Sequence, residues 1–171
     1  MSGPFSERTV TVADAIADVD QQLDDLADRM VEAEGGTAAA QTLSQLVSDA
    51  EKSLRGLVWL RDEHGADAEI TVRGLSAGDQ ARVEDRASDI RVERSGAGNA
   101  PGSRRQVTVA TGLVEAPFLD DDAGYEETLG AVGNVPDGVV VWLQSEITDA
   151  TSIEGNGYRR FGERLKEKLE A

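Results

Sequence analysis

The stretch "VADAIADVDQQLDDLADRMVEAEGG", residues 12–36, decides the reading of the fold. Its apolar residues fall at Val12, Ile16, Val19, Leu23, Leu26 and Met30, alternating steps of four and three, which is the a/d seam of a heptad pattern. Thr11 followed by Asp14 supplies a start resembling a capping box, and Gly35-Gly36 supplies the stop. At 1.5 Å per residue the predicted helix is about 34 Å long. Beyond the glycine pair, Leu43, Leu46, Val47, Ala50, Leu54 and Leu57 repeat the same kind of stripe from Thr37 towards His64. Two such stripes joined by a tight glycine turn predict an antiparallel helical hairpin over residues 1–65. Neither helix is stable alone, because most helical stability in proteins comes from burying the apolar face.

Downstream the pattern changes. "AEITVRGL" alternates Ile70, Val72 and, less cleanly, Leu75, which predicts a short strand. Ser76, with Asp79 three residues on, caps a charged helix over roughly Ala77 to Ser88. Residues 93–105, "ERSGAGNAPGSRR", show no apolar periodicity and read as a flexible loop. Residues 106–116 suit a strand through "QVTVAT" or a helix through "TVATGLVEA", and Pro117 ends either. "LDDDAGYEETLGAV" places acids at a helix start, where the helix dipole favours them. Val139, Val140, Leu143 and Ile147 predict a buried helix, although three consecutive valines also suit a strand. "GNG" at 155–157 then releases a last amphipathic helix through Phe161, Leu165 and Leu169. The expectation is a mainly α fold: a hairpin over 1–65, a small helical domain with one or two short strands over 66–152, and a C-terminal amphipathic helix over 153–171.

Charge narrows the classes of function. The chain of 171 residues has 33 Asp plus Glu against 17 Lys plus Arg, a formal net charge of −16. Such a charge repels phosphate backbones and anionic membranes, so neither nucleic acid nor a membrane is an expected partner. Only Lys52, Lys166 and Lys168 are lysines. An excess of carboxylates with so little lysine resembles the balance in proteins of salt-loving archaea, where high salt shortens the Debye length to about 3 Å. An acidic mesophilic protein is the alternative. No apolar run reaches the ~18 residues of a membrane span, and "MSGPFSERTV" has no signal-peptide core, so a soluble intracellular protein is expected.

Candidate chemistry is sparse. Without cysteine there are no disulfides, thiolate metal sites or cysteine nucleophiles, and the single histidine, His64, cannot build a His-rich site. His64 precedes Gly65, a place where a cationic side chain suits a helix C-terminus. Asp120, Asp121 and Asp122 do not meet the ligand spacing of an EF-hand and read as a solvated helix start. "GAGNAPG" at 96–102 has the wrong spacing for a dinucleotide fingerprint. Ser103, Arg104 and Arg105 read as solvated loop residues or as a contact for an anion or an acidic partner. No cofactor, metal or catalytic set is expected. The informative apolar residues are Leu57, Val58, Trp59 and Leu60, which turn through about 300° of a helix and need cover on more than one side, together with Trp142. Either they are buried where the hairpin meets the second region, or they anchor a partner or a second copy.

The order "ITVRGLS", a short charged helix, a loop, "GLVEAPFLDDD" and "VPDGVVVWLQSEI" resembles the tail assembly chaperones of long-tailed viruses. The residues that carry the resemblance are Val72, Arg73, Gly74, Leu75 and Ser76, then Gly112, Leu113, Val114 and Pro117, then Val139, Leu143 and Ile147, across about residues 69–150. The long hairpin before residue 65 and the glycine-rich segment at 93–105 depart from that pattern. The resemblance implies a non-enzymatic role in the host cytoplasm, in which the chain coats the tape measure protein, recruits tail tube subunits and leaves the finished particle. The acidic composition points to a salt-loving archaeal host. The rival reading is a structural virion protein, a head-tail connector or tail-completion component contacting neighbouring virion subunits, with the hairpin serving to oligomerise it.

Overall fold

The computed structural model describes residues 7–33, 35–93, 101–152 and 166–170. Its elements run β1 (Glu7–Thr11), α1 (Val12–Glu32), α2 (Ala38–His64), β2 (Glu69–Arg73), α3 (Ala77–Glu93), α4 (Pro101–Gly112), β3 (Leu113–Glu115), α5 (Tyr125–Asn134) and α6 (Asp137–Thr151). The protein is mainly helical with one small antiparallel sheet, as the sequence predicts.

The hairpin forms where the heptad pattern places it. Thr11 caps α1, its hydroxyl accepting the Asp14 N–H at 3.1 Å, and Thr37 caps α2 in the same way through Ala40 at 3.2 Å. Between the helices Gly36 takes φ +80°, a left-handed turn that a side chain would strain. Val12, Val19 and Leu26 of the seam are buried against Leu43, Ala50 and Leu57 of α2, while Ile16 and Leu23 are half-buried. Next to the turn the seam opens, and Met30 is exposed. At the other end the Val12 and Ala13 N–H groups donate to the carbonyls of Ala68 and Ala66 at 2.9 Å, which ties the start of α1 to the turn after α2.

The sheet has the order β1-β2-β3. Sequence patterning finds β2 but misses β1, whose five residues are half-exposed or exposed and lack a clean alternation. The strand exists because β2 pairs with it, Glu7 opposite Arg73 and Thr11 opposite Glu69, with the Thr9 and Thr71 hydroxyls 2.8 Å apart. On the other side Val72 pairs with Leu113 and Thr71 with Glu115, so Val114 is the extra residue of a bulge.

Four expectations are corrected. The charged helix runs on to Glu93, five residues beyond Ser88, since Ile90 completes its buried face with Val83 and Ala87. The expected loop at 93–105 is replaced at both ends: Glu93 closes α3 and Pro101 to Arg105 open α4, a helix whose first position suits proline. The segment 94–100 lies outside the described residues. Within 106–116 neither alternative holds as drawn: "QVTVAT" is helical, because α4 runs on to Gly112, and the strand comes later, from Leu113 to Glu115, where the helical alternative continued. Asp120 to Asp122 sit in a turn ahead of α5 rather than on the helix, whose first turn carries Glu126 and Glu127, the latter accepting the Gly124 N–H at 3.0 Å. Of the last amphipathic helix, residues 153–165 lie outside the described residues, and Lys166 to Leu169 are helical with Leu169 exposed.

One buried cluster runs from the hairpin into the rest of the chain, joining Leu57 and Leu60 to Ile70, Val107, Val139, Trp142, Leu143 and Ile147. The hairpin is therefore not set off from residues 66–152 by a break in the core. α2 and α6 pack at close range because glycines meet at their crossing: a Cβ on Gly56 would lie 2.5 Å from the Gly138 carbonyl carbon, and one on Gly138 would strike the Lys52 carbonyl.

Glu146, on α6, faces β1 and α1. Its Oε2 lies 3.0 Å from Arg8 Nη1 without the alignment of a hydrogen bond, and Arg8 also reaches Asp18 at 3.7 Å. Burial raises the Glu146 carboxyl above its usual 4.5, against the pull of Arg8 and with the push of Asp149 and Asp18. The charged form is therefore disfavoured in the folded state. Stability should rise as pH falls through the raised value and level off below 4.5, where the unfolded chain is protonated too. Glu146→Gln is expected to raise the melting midpoint at pH 7 and to flatten that rise; a variant that melts lower at pH 7 would show that the Arg8 pair outweighs desolvation.

Candidate docking site

Most of the residues that carry the resemblance gather around the exit of β2 and the end of α4. At the exit of β2, Arg73 donates to the Gly74 carbonyl at 3.3 Å and to Asp79 Oδ2 at 2.9 Å. Leu75 is buried, and its N–H donates to Thr151 Oγ1 on α6 at 2.9 Å. The Ser76 hydroxyl accepts the Asp79 N–H at 3.1 Å, and Asp79 Oδ2 in return accepts the Ser76 N–H at 3.0 Å. Gly112 has no room for a side chain, since a Cβ there would lie 2.7 Å from the Ile147 side chain. Leu113 pairs with Val72. Val72, Leu75, Leu113, Val139, Leu143 and Ile147 are all buried. Among these residues Val114 stands apart: its bulge turns it outward, and it is 39% exposed.

Asp79 is the electrostatic centre of this junction. It is buried, and besides Ser76 and Arg73 it takes Arg82 Nη2 at 3.2 Å on Oδ1. The Arg73 hydrogen bond leads in holding its carboxyl well below the ordinary value of 3.8, with the Ser76 bonds helping and burial opposing. The stability it confers is present above pH 3.8 and is lost as pH falls through the depressed value. Asp79→Ala removes the carboxylate half of the capping box, which accepts the Ser76 N–H, and leaves Arg73 without its carboxylate, at a cost of about 2 kcal/mol at neutral pH. The gap between the two proteins should narrow on acidification; a gap that stays constant from pH 7 to pH 2 would remove this account.

Beside the junction opens a cleft of about 790 Å³ between α3, the end of α4, β3 and the start of α5. It is lined by Ala110, Leu113, Val114, Ala123 and Tyr125 and by the charged side chains of Arg73, Arg82, Arg86, Glu7, Asp79, Asp85 and Asp89. Arg86 reaches Glu126 at 3.3 Å and Glu93 at 3.7 Å, while its Nε is buried without a partner. Burial pushes the Tyr125 hydroxyl above its usual 10, partly offset by a hydrogen bond with Thr111 and by Arg86. Tyr125 is 40% exposed, so its ring and Val114 give the cleft a small apolar surface open to a partner.

The residues singled out from sequence as partner anchors lie elsewhere. Of the two alternatives for them, Leu57, Leu60 and Trp142 take the first and are buried in the core rather than accessible: α6 covers α2 at the glycine crossing, supplying the second side that the four apolar residues need. Val58 and Trp59 are half-buried, and Trp59 packs edge-on against His64 at the end of α2, ring centres 6.1 Å apart. Arg104 pairs with Glu84, and Arg105 donates to Gln144 at 2.9 Å, so neither is a free loop residue. Sequence reasoning missed the cleft; Val114 lay inside a recognised motif, but nothing local marks it as bulged. Among the described residues no group of three or more His, Asp or Glu side chains could hold a metal ion, and no helix is long and apolar enough to cross a membrane. Fold and site together define a mainly helical protein with a surface cleft beside the bulged edge of a three-stranded sheet. In comparisons with known proteins, no family model, no curated protein and no solved structure matches the chain.

Proposed function

We propose that the chain is a non-enzymatic assembly chaperone of a long-tailed virus, binding the tape measure protein and tail tube subunits while the tail is built. The observation that supports this reading is the convergence of its motif residues. Arg73-Gly74-Leu75-Ser76, Gly112-Leu113 and Ile147 form one junction, and the apolar motif residue Val114, turned outward by its bulge, opens on the cleft. Function then resides in a surface rather than in a catalytic pocket.

Two measurements test it. The reading predicts a neighbouring reading frame with a long helical product; co-expression with this chain should keep that product soluble, and mass spectrometry of purified particles should find this chain absent. Stoichiometric recovery from particles would promote the structural-virion reading instead. That second reading draws on the free end of the hairpin, where Met30 and Val31 expose apolar surface suited to contact with neighbouring subunits or a second copy.

A further inference from the structure

The charges around the cleft differ in how they are engaged. Arg73 and Arg82 are bound to Asp79, and Arg86 to Glu93 and Glu126. Among the described residues, Asp85 and Asp89 have no such partner, although both line the cleft. They lie four residues apart on α3, one helical turn, so that both carboxylates stand on the same wall. The same cleft is lined from other elements by Val114, on β3, and Tyr125, on α5. What remains unmatched in the cleft is therefore negative charge beside apolar surface, and its complement is positive charge beside an apolar stripe. The edge of β3 does not favour an added strand, since it is three residues long and interrupted by the bulge at Val114. A helix lying along α3 matches the one-turn spacing of the two carboxylates with its own residues four apart.

We propose that this cleft binds a basic amphipathic helix of a partner protein, with the helix's apolar stripe on Val114 and Tyr125 and its Lys or Arg side chains, four residues apart, against Asp85 and Asp89. The proposal deepens the assembly reading and rests on it for the helical nature of the partner. It adds the site, the binding mode and the sign of the partner's charge.

The test uses the full chain and two synthetic 21-residue helical peptides sharing one leucine stripe, one flanked by lysines and the other by glutamates. Calorimetric titration should show binding of the lysine peptide only. Val114→Asp, and separately Asp85→Lys with Asp89→Lys, should each weaken it about tenfold or more. All three positions are exposed, and circular dichroism melts verify the fold. The matched control is Asp24→Lys with Asp28→Lys, two exposed carboxylates one turn apart on α1, which should change affinity less than about threefold. Equal losses in both double variants would mean diffuse attraction to an acidic protein and would overturn the proposal, as would undiminished binding by the Val114→Asp chain. Co-expression separates the two levels. If the long helical product is kept soluble equally by the wild-type and Val114→Asp chains, the assembly reading survives and this site falls. If the wild-type chain fails to keep it soluble while the peptide results hold, the cleft stands as a basic-helix site and the viral reading falls.

Discussion

Gly138→Val is expected to lower stability by roughly 3 kcal/mol, at the upper end of what overpacking costs. For a chain of this size that corresponds to a fall of about 6–12 °C in the melting midpoint. The reason is local and steric. A Cβ at position 138 would meet the Lys52 carbonyl of α2 and come within 2.9 Å of its carbon and 3.1 Å of the Gly56 nitrogen. These are backbone atoms, so no side chain can rotate away, and α2 and α6 must separate. Separation opens the packing around Leu57, Val139 and Leu143, all fully buried. The internal control is Gly130→Ala on α5, where nothing lies within 4 Å of the added carbon. There alanine should stabilise by up to about 1 kcal/mol through helix propensity. Thermal melts of the two variants check both signs; a Gly138→Val protein that melts like the wild type would mean that the two helices do not cross this closely.

Trp142→Ala is expected to destabilise by about 3–5 kcal/mol, the range for emptying a large aromatic site in a core. Trp142 is 4% exposed and belongs to the same buried cluster as Leu143 and Ile147. Its removal should lower the denaturation midpoint with little change in the slope. Trp59→Ala should cost less, because Trp59 is only partly buried and packs on the exposed His64. A Trp142→Ala protein with unchanged stability and a weakened partner complex would restore this residue as an anchor and place the docking surface on α6 instead of in the cleft.

What was legible in the sequence was whatever short-range physics encodes. The seam through Val12, Val19 and Leu26, the cap at Thr11, the turn at Gly36 and the pairing of Ser76 with Asp79 all act within a few residues, so spacing alone reveals them. The buried helix α6 was readable for the same reason, because Val139, Val140, Leu143 and Ile147 mark its covered side.

What only the tertiary structure decided depends on partners far apart in the chain. Strand β1 is too polar to announce itself and exists by pairing with β2 some sixty residues on, Thr9 meeting Thr71. Gly56 and Gly138 look like weak points in their helices until the helices cross, and only then does the lack of a side chain become the reason they pack. Leu57, Leu60 and Trp142 carry the same hydrophobicity whether they face a partner or a core, and only the arrival of α6 on α2 settles which. Val114 is likewise one apolar residue in an apolar run, turned outward by a bulge that arises from the register of β3 on β2. Periodicity reports which side of an element is apolar, whereas the identity of what covers that side is a property of the assembled chain.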